Sequence, residues 1–494
     1  MNKPTDAVKK LMGDTAVYGL GTMVPRFLNY LLVPLYTIYV FTQAQYGQVT
    51  LLYSYVAILL VILTLGMETA FFRYANLNKS PKRAFNTAMT SILICSAFFL
   101  LLIFSFTDDI AVLIQYPDNK EYVQVVALII AIDAITAIPF AYLRYKNKAL
   151  KFSVIRILSV VITISLNLLF LVVIPGYYGD DYINFPVYRS TSLVGFVFIA
   201  NLVGSFSTLI MLGKELLSFS FKIDSDLLKK MLRYGMPILI ISLMFMITEV
   251  ADKILLKYLL PSEINSDAQL GIYAACYKLA IIMMIFIQMF RYAAEPFFFA
   301  EAKKKNAKDT YSRVMSLFVG FTWSIFLMVT LYIDVFKHFI GEAFWPGLQI
   351  VPIILSAKLF LGVFYNLSVW YKLTNKTFYG ALIATVGGML TILLNVLLIP
   401  KFGYLGSAWA SFVSYFVIML LSYYWGKYHY KIKYNIRIIF SYTAFAVVVY
   451  IMSIIIKSTM PGHYYYIVSV LFVAFIIFVY YMWYKNYSPE KIQG

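Results

Sequence analysis

The stretch NLLFLVVIPGYYG (Asn167–Gly179) decides the fold. After Asn167 every residue up to Pro175 is apolar, so a helix here has no face to offer water. Extended backwards, the apolar run covers 153–174, and a helix needs about 20 such residues to cross a bilayer. The same order returns in NVLLIPKFGYLGS (Asn395–Ser407): an Asn near the start of the last turns, Ile-Pro ending the helix, then Gly. A second correspondence lies at the openings of the two halves. AVYGLGTMVPRFLNYLLVPLYTIYV (Ala16–Val40) and MLRYGMPILIISLMFMITEVADKILL (Met231–Leu256) each begin a helix with Tyr-Gly, at Tyr18-Gly19 and Tyr234-Gly235. Two matches at equivalent places point to a parallel repeat, six helices to a unit.

The remainder of the chain has the same character. Hydrophobic residues make up 62% of its 494 positions and charged residues 13%, with a mean hydropathy of +0.79. A soluble domain carries about 25% charge, so lipid is the solvent this composition demands. Apolar runs of spanning length fall at 15–40, 46–72, 84–106, 122–143, 153–174 and 188–212. The second half supplies 234–258, 270–294, 313–333, 349–373, 378–399 and 403–426, and then 436–456 and 463–484. The expected fold class is an all-α membrane protein of about fourteen transmembrane helices. Its expected domains are an N-lobe at 1–215, a C-lobe at 216–430 and two additional C-terminal helices at 431–494.

The net charge of +18 is not a nucleic-acid signature. The lysines and arginines sit in short clusters between apolar runs, as in Arg73/Lys79/Lys82/Arg83, Arg144/Lys146/Lys148/Lys151 and Lys303/Lys304/Lys305/Lys308. The intervening loops carry Asp108, Asp109, Asp118, Asp180 and Asp181 instead. By the positive-inside rule the basic loops and both termini are expected in the cytoplasm, in a bacterial inner membrane. Cys95 and Cys276 each lie within an apolar run and read as packing residues rather than a disulfide. Three scattered histidines offer no metal-ligand spacing, and no cofactor motif occurs.

YGLGTMVPRFLNYLLVPLYTIYVFTQAQYGQVTLLYSY (Tyr18–Tyr55) followed by GMETAFFRYAN (Gly66–Asn76) resembles the N-terminal signature of the polysaccharide-transport family. These are the Wzx-type oligosaccharide flippases of the multidrug/oligosaccharidyl-lipid/polysaccharide exporter superfamily. LLKKMLRYGMPILI (Leu227–Ile240) and TEVADKILLKYLL (Thr248–Leu260) resemble the opening of that family's second lobe. The resemblance runs over the whole chain through moderately specific, largely apolar motifs. It implies two pseudo-symmetric six-helix lobes around a central cavity plus two C-terminal helices. It also implies a secondary transporter that moves a lipid-linked, undecaprenyl-pyrophosphate oligosaccharide between leaflets for cell-surface polysaccharide biosynthesis.

Ionisable side chains inside the bilayer are expensive and mark function by default. Arg26 lies near mid-depth of the first helix, and Thr22, Arg26 and Asn29 share one helical face. Lys278 and Lys358 sit in the outer halves of the eighth and tenth helices. With Arg26 and Asn29 they are the candidate substrate-binding set, because Arg and Lys can replace the water a pyrophosphate loses. For each, the plainer alternative is a structural pair or a stem reaching to the interface. Glu249, Asp252 and Asp133 are candidates for coupling to Na⁺ or H⁺, although for the first two a salt bridge to Lys253 or to Lys278 on the adjacent helix is the favoured explanation. Glu68 with Arg73, and Glu295 with Arg291, occupy matching positions at the cytoplasmic ends of the second and eighth helices. They are candidate gate residues, or ordinary helix-end pairs.

Two rivals remain at this stage. A drug-cation antiporter of the same superfamily needs an acidic rather than a basic site. A membrane polysaccharide polymerase or ligase needs a large outer loop with clustered catalytic residues, which the short outer loops do not supply. Expected partners are the lipid-linked oligosaccharide, membrane lipids and other polysaccharide-assembly proteins, with no nucleic acid.

Overall fold

Helix starts are written into local sequence. Thr42 accepts a hydrogen bond from the Gln45 amide, and the Gln45 side chain returns one to the Thr42 amide, a reciprocal cap. Ser192 accepts from the Gly195 amide (3.1 Å) and Asn265 from that of Ala268 (3.0 Å), so helices begin there too. Asp224 accepts from the Leu227 amide (3.0 Å) and pairs with Arg83. That backbone bond comes first among the causes that hold its carboxyl below the ordinary value, the Arg83 guanidinium adding to it against some burial.

The computed structural model describes residues 6–487 apart from 78–79, 186–187, 189–190, 303 and 305. Lys79, Lys303 and Lys305 of the basic clusters lie outside the described residues. In chain order the helices are α1 (Asp6–Tyr30), α2 (Gln43–Leu77), α3 (Pro81–Ser105), α4 (Lys120–Tyr145), α5 (Ala149–Tyr178) and α6 (Leu193–Met211). Next come α7 (Ser225–Leu259), α8 in two pieces (Ser266–Leu279 and Ile281–Glu301), α9 (Ala307–Leu331) and α10 (Glu342–Leu373). The last four are α11 (Thr377–Phe402), α12 (Tyr404–His429), α13 (Ile436–Thr459) and α14 (Pro461–Tyr487). Among the described residues twelve helices are long and apolar enough to cross a membrane, and no strand is present. The expected spans at 15–40 and 234–258 are helical as well, within α1 with its continuation to Val40 and within α7, but they are not among those twelve. The chain is an all-α, multi-pass membrane protein.

Two expected single helices are broken. The span at 46–72 is interrupted where Leu65 and Gly66 take left-handed backbone (φ 51° and 64°). The span at 270–294 is interrupted at Ala280, between its two pieces.

Two compact units divide the chain, Met1–Lys257 and Tyr258–Gly494. Within the first, α1 packs along α5. Ser153 donates to the Val17 carbonyl (2.7 Å), Tyr18 meets Phe152 edge-on at 5.3 Å, and Gly21 sits against Ser153 so closely that a Cβ has no room. Such small-residue seams are how helices associate where lipid gives no hydrophobic drive. Within the second unit, α13 and α14 are stitched to α9. Trp323 donates to Thr443 (3.0 Å), Tyr464 to the Leu331 carbonyl (2.9 Å) and Tyr442 to the Val479 carbonyl (3.1 Å).

The internal repeat is visible in matching local geometry. Asn147 and Asn375 both have left-handed backbone (φ 53° and 55°), and each closes the helix before it by the same hydrogen bonds: Lys148 N to Leu143 O and Lys376 N to Tyr371 O, 2.9 Å each. Asn167 donates to the Thr163 carbonyl and Asn395 to the Thr391 carbonyl, 2.8 Å each. Gly179 and Gly403, which follow the two Ile-Pro motifs, share φ of 54° and 58° with ψ near −138° and −137°.

Candidate functional site

In the first unit the charged groups within the apolar runs come from different helices. Pro25 of α1 is buried, which turns its neighbours Arg26 and Asn29 to the exposed side. Thr22, which the helical spacing placed with them, is half-buried and its hydroxyl bonds the Gly19 carbonyl of its own helix (2.9 Å). Asp133 of α4, half-buried, accepts from Ser205 of α6 (2.8 Å). Tyr53 of α2 accepts from Asn201 of α6 (2.7 Å). Arg156 of α5 stacks its guanidinium 4.1 Å above the Phe140 ring and 5.8 Å from Phe152, in electrostatic range of Asp133, Glu68, Arg144 and Arg26. Arg156, two turns into α5, is exposed. Two guanidiniums and one hydrogen-bonded carboxylate thus mark this unit, with a positive balance. Among the described residues neither arginine has an ion pair within 4 Å, so their planar donors are available to an anion.

On α7, Asp252 is buried and pairs with Lys253 (3.0 Å), whose ammonium also donates to the Glu249 carbonyl (3.0 Å). The ammonium therefore joins the two acidic positions, through a carboxylate at one and a main-chain carbonyl at the other. Lys257, one turn on, is buried with its ammonium 4.7 Å over the Tyr116 ring.

In the second unit Lys358 of α10 is buried, 2% exposed, between aromatic faces. Its ammonium lies 4.9 Å from the Tyr415 ring and 5.2 Å from the Tyr277 ring, and 3.4 Å from the Tyr415 hydroxyl. A long stem could have carried this charge to the interface. Instead the tyrosines stabilise it in place. Lys278, adjacent to Tyr277 on α8, is half-buried.

The gate candidates pair otherwise than expected. Glu68 bonds Arg144 at the end of α4, and Glu295 bonds Lys372 at the end of α10. Arg73 instead stacks 4.2 Å over Tyr234, and Arg291 5.0 Å over Tyr365. Glu68 and Arg73 are five residues apart on a helix, which puts them on different faces. Arg291 precedes Glu295 by four, the weaker order for a pair along a helix. The carboxylate of α2 or α8 thus reaches the cation of α4 or α10, and both units do the same. Sequence reasoning missed Arg144 and Lys372 as partners, and Arg156 altogether. An arginine in the first turn of the α5 apolar run was the available signal. Cys95 and Cys276 are free thiols, and among the described residues no cluster of ligating side chains could hold a metal ion.

Residues 11–301 match the model of the polysaccharide biosynthesis protein family. A protein of the Lsg locus of Haemophilus influenzae is 21% identical over 307 residues, covering 60% of this chain and 68% of that protein. Among solved structures, the lipid II flippase MurJ in an inward closed conformation superposes with a TM-score of 0.66 at 12% identity, over 97% of this chain and 98% of MurJ. An outward-facing multidrug-resistance MATE transporter of the MOP superfamily superposes at 0.62 and 12% identity, over 86% and 98%. At such identities the two structures establish a shared fold. The family match spans more than half of the sequence, and the chain belongs to the polysaccharide biosynthesis protein family.

Proposed function

We propose that the protein is a secondary transporter, not an enzyme, that flips an undecaprenyl-pyrophosphate-linked oligosaccharide across the bacterial inner membrane by alternating access. The observation that carries this reading is the pair of exposed guanidiniums within apolar runs, Arg26 in α1 and Arg156 near the start of α5, in a family named for polysaccharide biosynthesis. A pyrophosphate leaving water needs charge-assisted donors to replace its hydration, and paired arginines provide several in fixed geometry. Lys278 and Lys358 extend the cationic set in the second unit. Asp133, held by Ser205 and close to Arg156, is the group for H⁺ or Na⁺ coupling. With both termini cytoplasmic, the basic loops face the compartment where such lipids are assembled. Other polysaccharide-assembly proteins are natural partners.

The MATE likeness favours a second reading, export of an organic cation. The sign of the first unit's charge weighs against it, since two arginines face one carboxylate. In a strain dependent on this gene, Arg26→Ala and Arg156→Ala should each abolish surface polysaccharide while membrane levels of protein stay unchanged. Normal glycan in both variants would remove the cationic site, and drug resistance conferred by the wild type would favour the antiporter.

A further inference from the structure

The second unit has a small pocket between α8 and α10. Arg291, Glu295 and Phe298 of α8 and Tyr365, Asn366 and Lys372 of α10 line it. Glu295 and Lys372 neutralise one another. Arg291 lies over the Tyr365 ring (5.0 Å) and, among the described residues, has no carboxylate partner, so the pocket keeps one net positive charge. Asn366 is 5% exposed and donates weakly to the Gly362 carbonyl (3.4 Å), while its Oδ1 has no donor. A buried amide oxygen without a donor has lost its hydration uncompensated, so an occupant bringing a hydroxyl would relieve a standing penalty.

The repeat shows that none of this is required by the fold. Glu68 and Arg144 reproduce Glu295 and Lys372, and Asn147 reproduces Asn375. At the positions matching Arg291 and Asn366, however, the first unit has Thr64, bonded to the Val61 carbonyl, and fully buried Ile138. The clasp between helices is common to both units. The guanidinium and the orphaned amide oxygen belong to one.

We propose that this pocket binds a phosphate ester bearing a free hydroxyl, the phosphate on Arg291 and the hydroxyl donating to Asn366 Oδ1. It lies at the end of α8 that leads into the basic connection to α9, where Lys308 stands 4.8 Å over the Tyr430 ring. Basic pockets between spanning helices are suited to phosphate headgroups. The phosphate has two sources, a glycerophospholipid of the bilayer or the phosphorylated lipid carrier of the cargo. The site stands or falls separately from the transport reading, because its test has no transport readout.

The test is direct binding to the full-length protein in detergent, read as the shift in melting temperature against concentration. The probes are dioctanoyl phosphatidylglycerol, dioctanoyl phosphatidylcholine, which has no hydroxyl donor, and undecaprenyl-pyrophosphoryl N-acetylglucosamine, whose sugar supplies hydroxyls. Saturable binding of the phosphatidylglycerol, weakened about tenfold in Arg291→Gln and in Asn366→Leu but not in Arg313→Gln, is the expected result. Arg291→Lys should retain part of the affinity, and it keeps the test open should Arg291→Gln fail to fold. Should the undecaprenyl-pyrophosphoryl sugar alone show that dependence, the phosphate comes from the carrier. Equal affinity of the variants and the wild type, equal binding of phosphatidylcholine, or no saturable binding by either phosphate probe would overturn the proposal.

Discussion

Asp334, between α9 and α10, is held by two ammonium groups, Lys337 at 3.1 Å and Lys457 of α13 at 2.5 Å. Burial raises its carboxyl, but the hydrogen bonds and charges of Lys457 and Lys337 outweigh that and leave it below the ordinary value. A carboxyl depressed in the folded state adds stability above its unfolded value, about 3.9, and loses it as pH falls through the folded value. The melting temperature should therefore drop below about pH 4. Asp334→Asn should lower it at neutral pH by the equivalent of about 1 kcal/mol and flatten the acid limb. An unchanged acid limb would show that other carboxylates govern it. Sequence reasoning did not single out this residue, and spacing along its own segment could not reveal its partner on α13. Asp133 likewise has its Ser205 partner on another helix. Spacing along one helix predicts neighbours three or four residues away and is silent across helices. That is why Arg26 and Asn29 could be placed on one face, while the Glu68–Arg144 pair and the tyrosines around Lys358 could not.

At the scale of elements, the two Tyr-Gly openings look alike in sequence and differ in what they do. Gly19 has open space where a Cβ would go. Gly235 does not, because its Cβ would stand 2.9 Å from the Leu65 carbonyl oxygen, at the break in α2. Reciprocally, a Cβ on Gly66 would stand 2.5 Å from the Gly235 carbonyl oxygen, and Gly66 has φ +64°. Nearby, Arg73 stacks on Tyr234, and Tyr74 donates to the Lys230 carbonyl (3.2 Å), so the whole α2 end is moulded to the start of α7. The GMETAFFRYAN and RYGMP motifs are thus two sides of one backbone-to-backbone seam. Gly235→Val should destabilise by about 1–3 kcal/mol, from forced displacement of backbone. Gly66→Ala should cost a similar amount from strain and clash together. Gly19→Ala should be neutral or slightly stabilising, as alanine prefers a helix by up to about 1 kcal/mol. Thermal unfolding of the three purified variants separates them, and equal behaviour of Gly19→Ala and Gly235→Val would sink the seam. The break itself was hidden from the sequence, because largely apolar sequence runs on both sides of Gly66 and one glycine does not announce left-handed backbone.

At the scale of the molecule, duplication gives two carboxylate–cation clasps from one ancestral arrangement, Glu68–Arg144 and Glu295–Lys372. The Ile-Pro repeat was legible because it falls in the last turns of α5 and α11, which run two or three residues past the proline and close at Gly179 and Gly403, and proline and glycine are common near helix ends. The clasps were not, since the cation differs between the units and lies two helices away. If each clasp ties the second helix of its repeat to the fourth, reversing one charge creates a like-charge contact and reversing both restores the pair. Side chains here are 31–43% exposed, so the coupling should be modest, about 0.5–1 kcal/mol. Glu68→Arg and Arg144→Glu should each lower the melting temperature, and the double variant should recover most of the loss. Glu295→Lys, Lys372→Glu and their combination should behave in parallel, with somewhat weaker coupling because lysine offers a point charge in place of a planar fork. Each cycle is closed by measuring both single variants and the double variant in the same detergent and salt. Additive losses in both units would mean that the carboxylates act through solvent alone. Coupling in one unit only would show that the two halves have diverged in how they hold their inner ends.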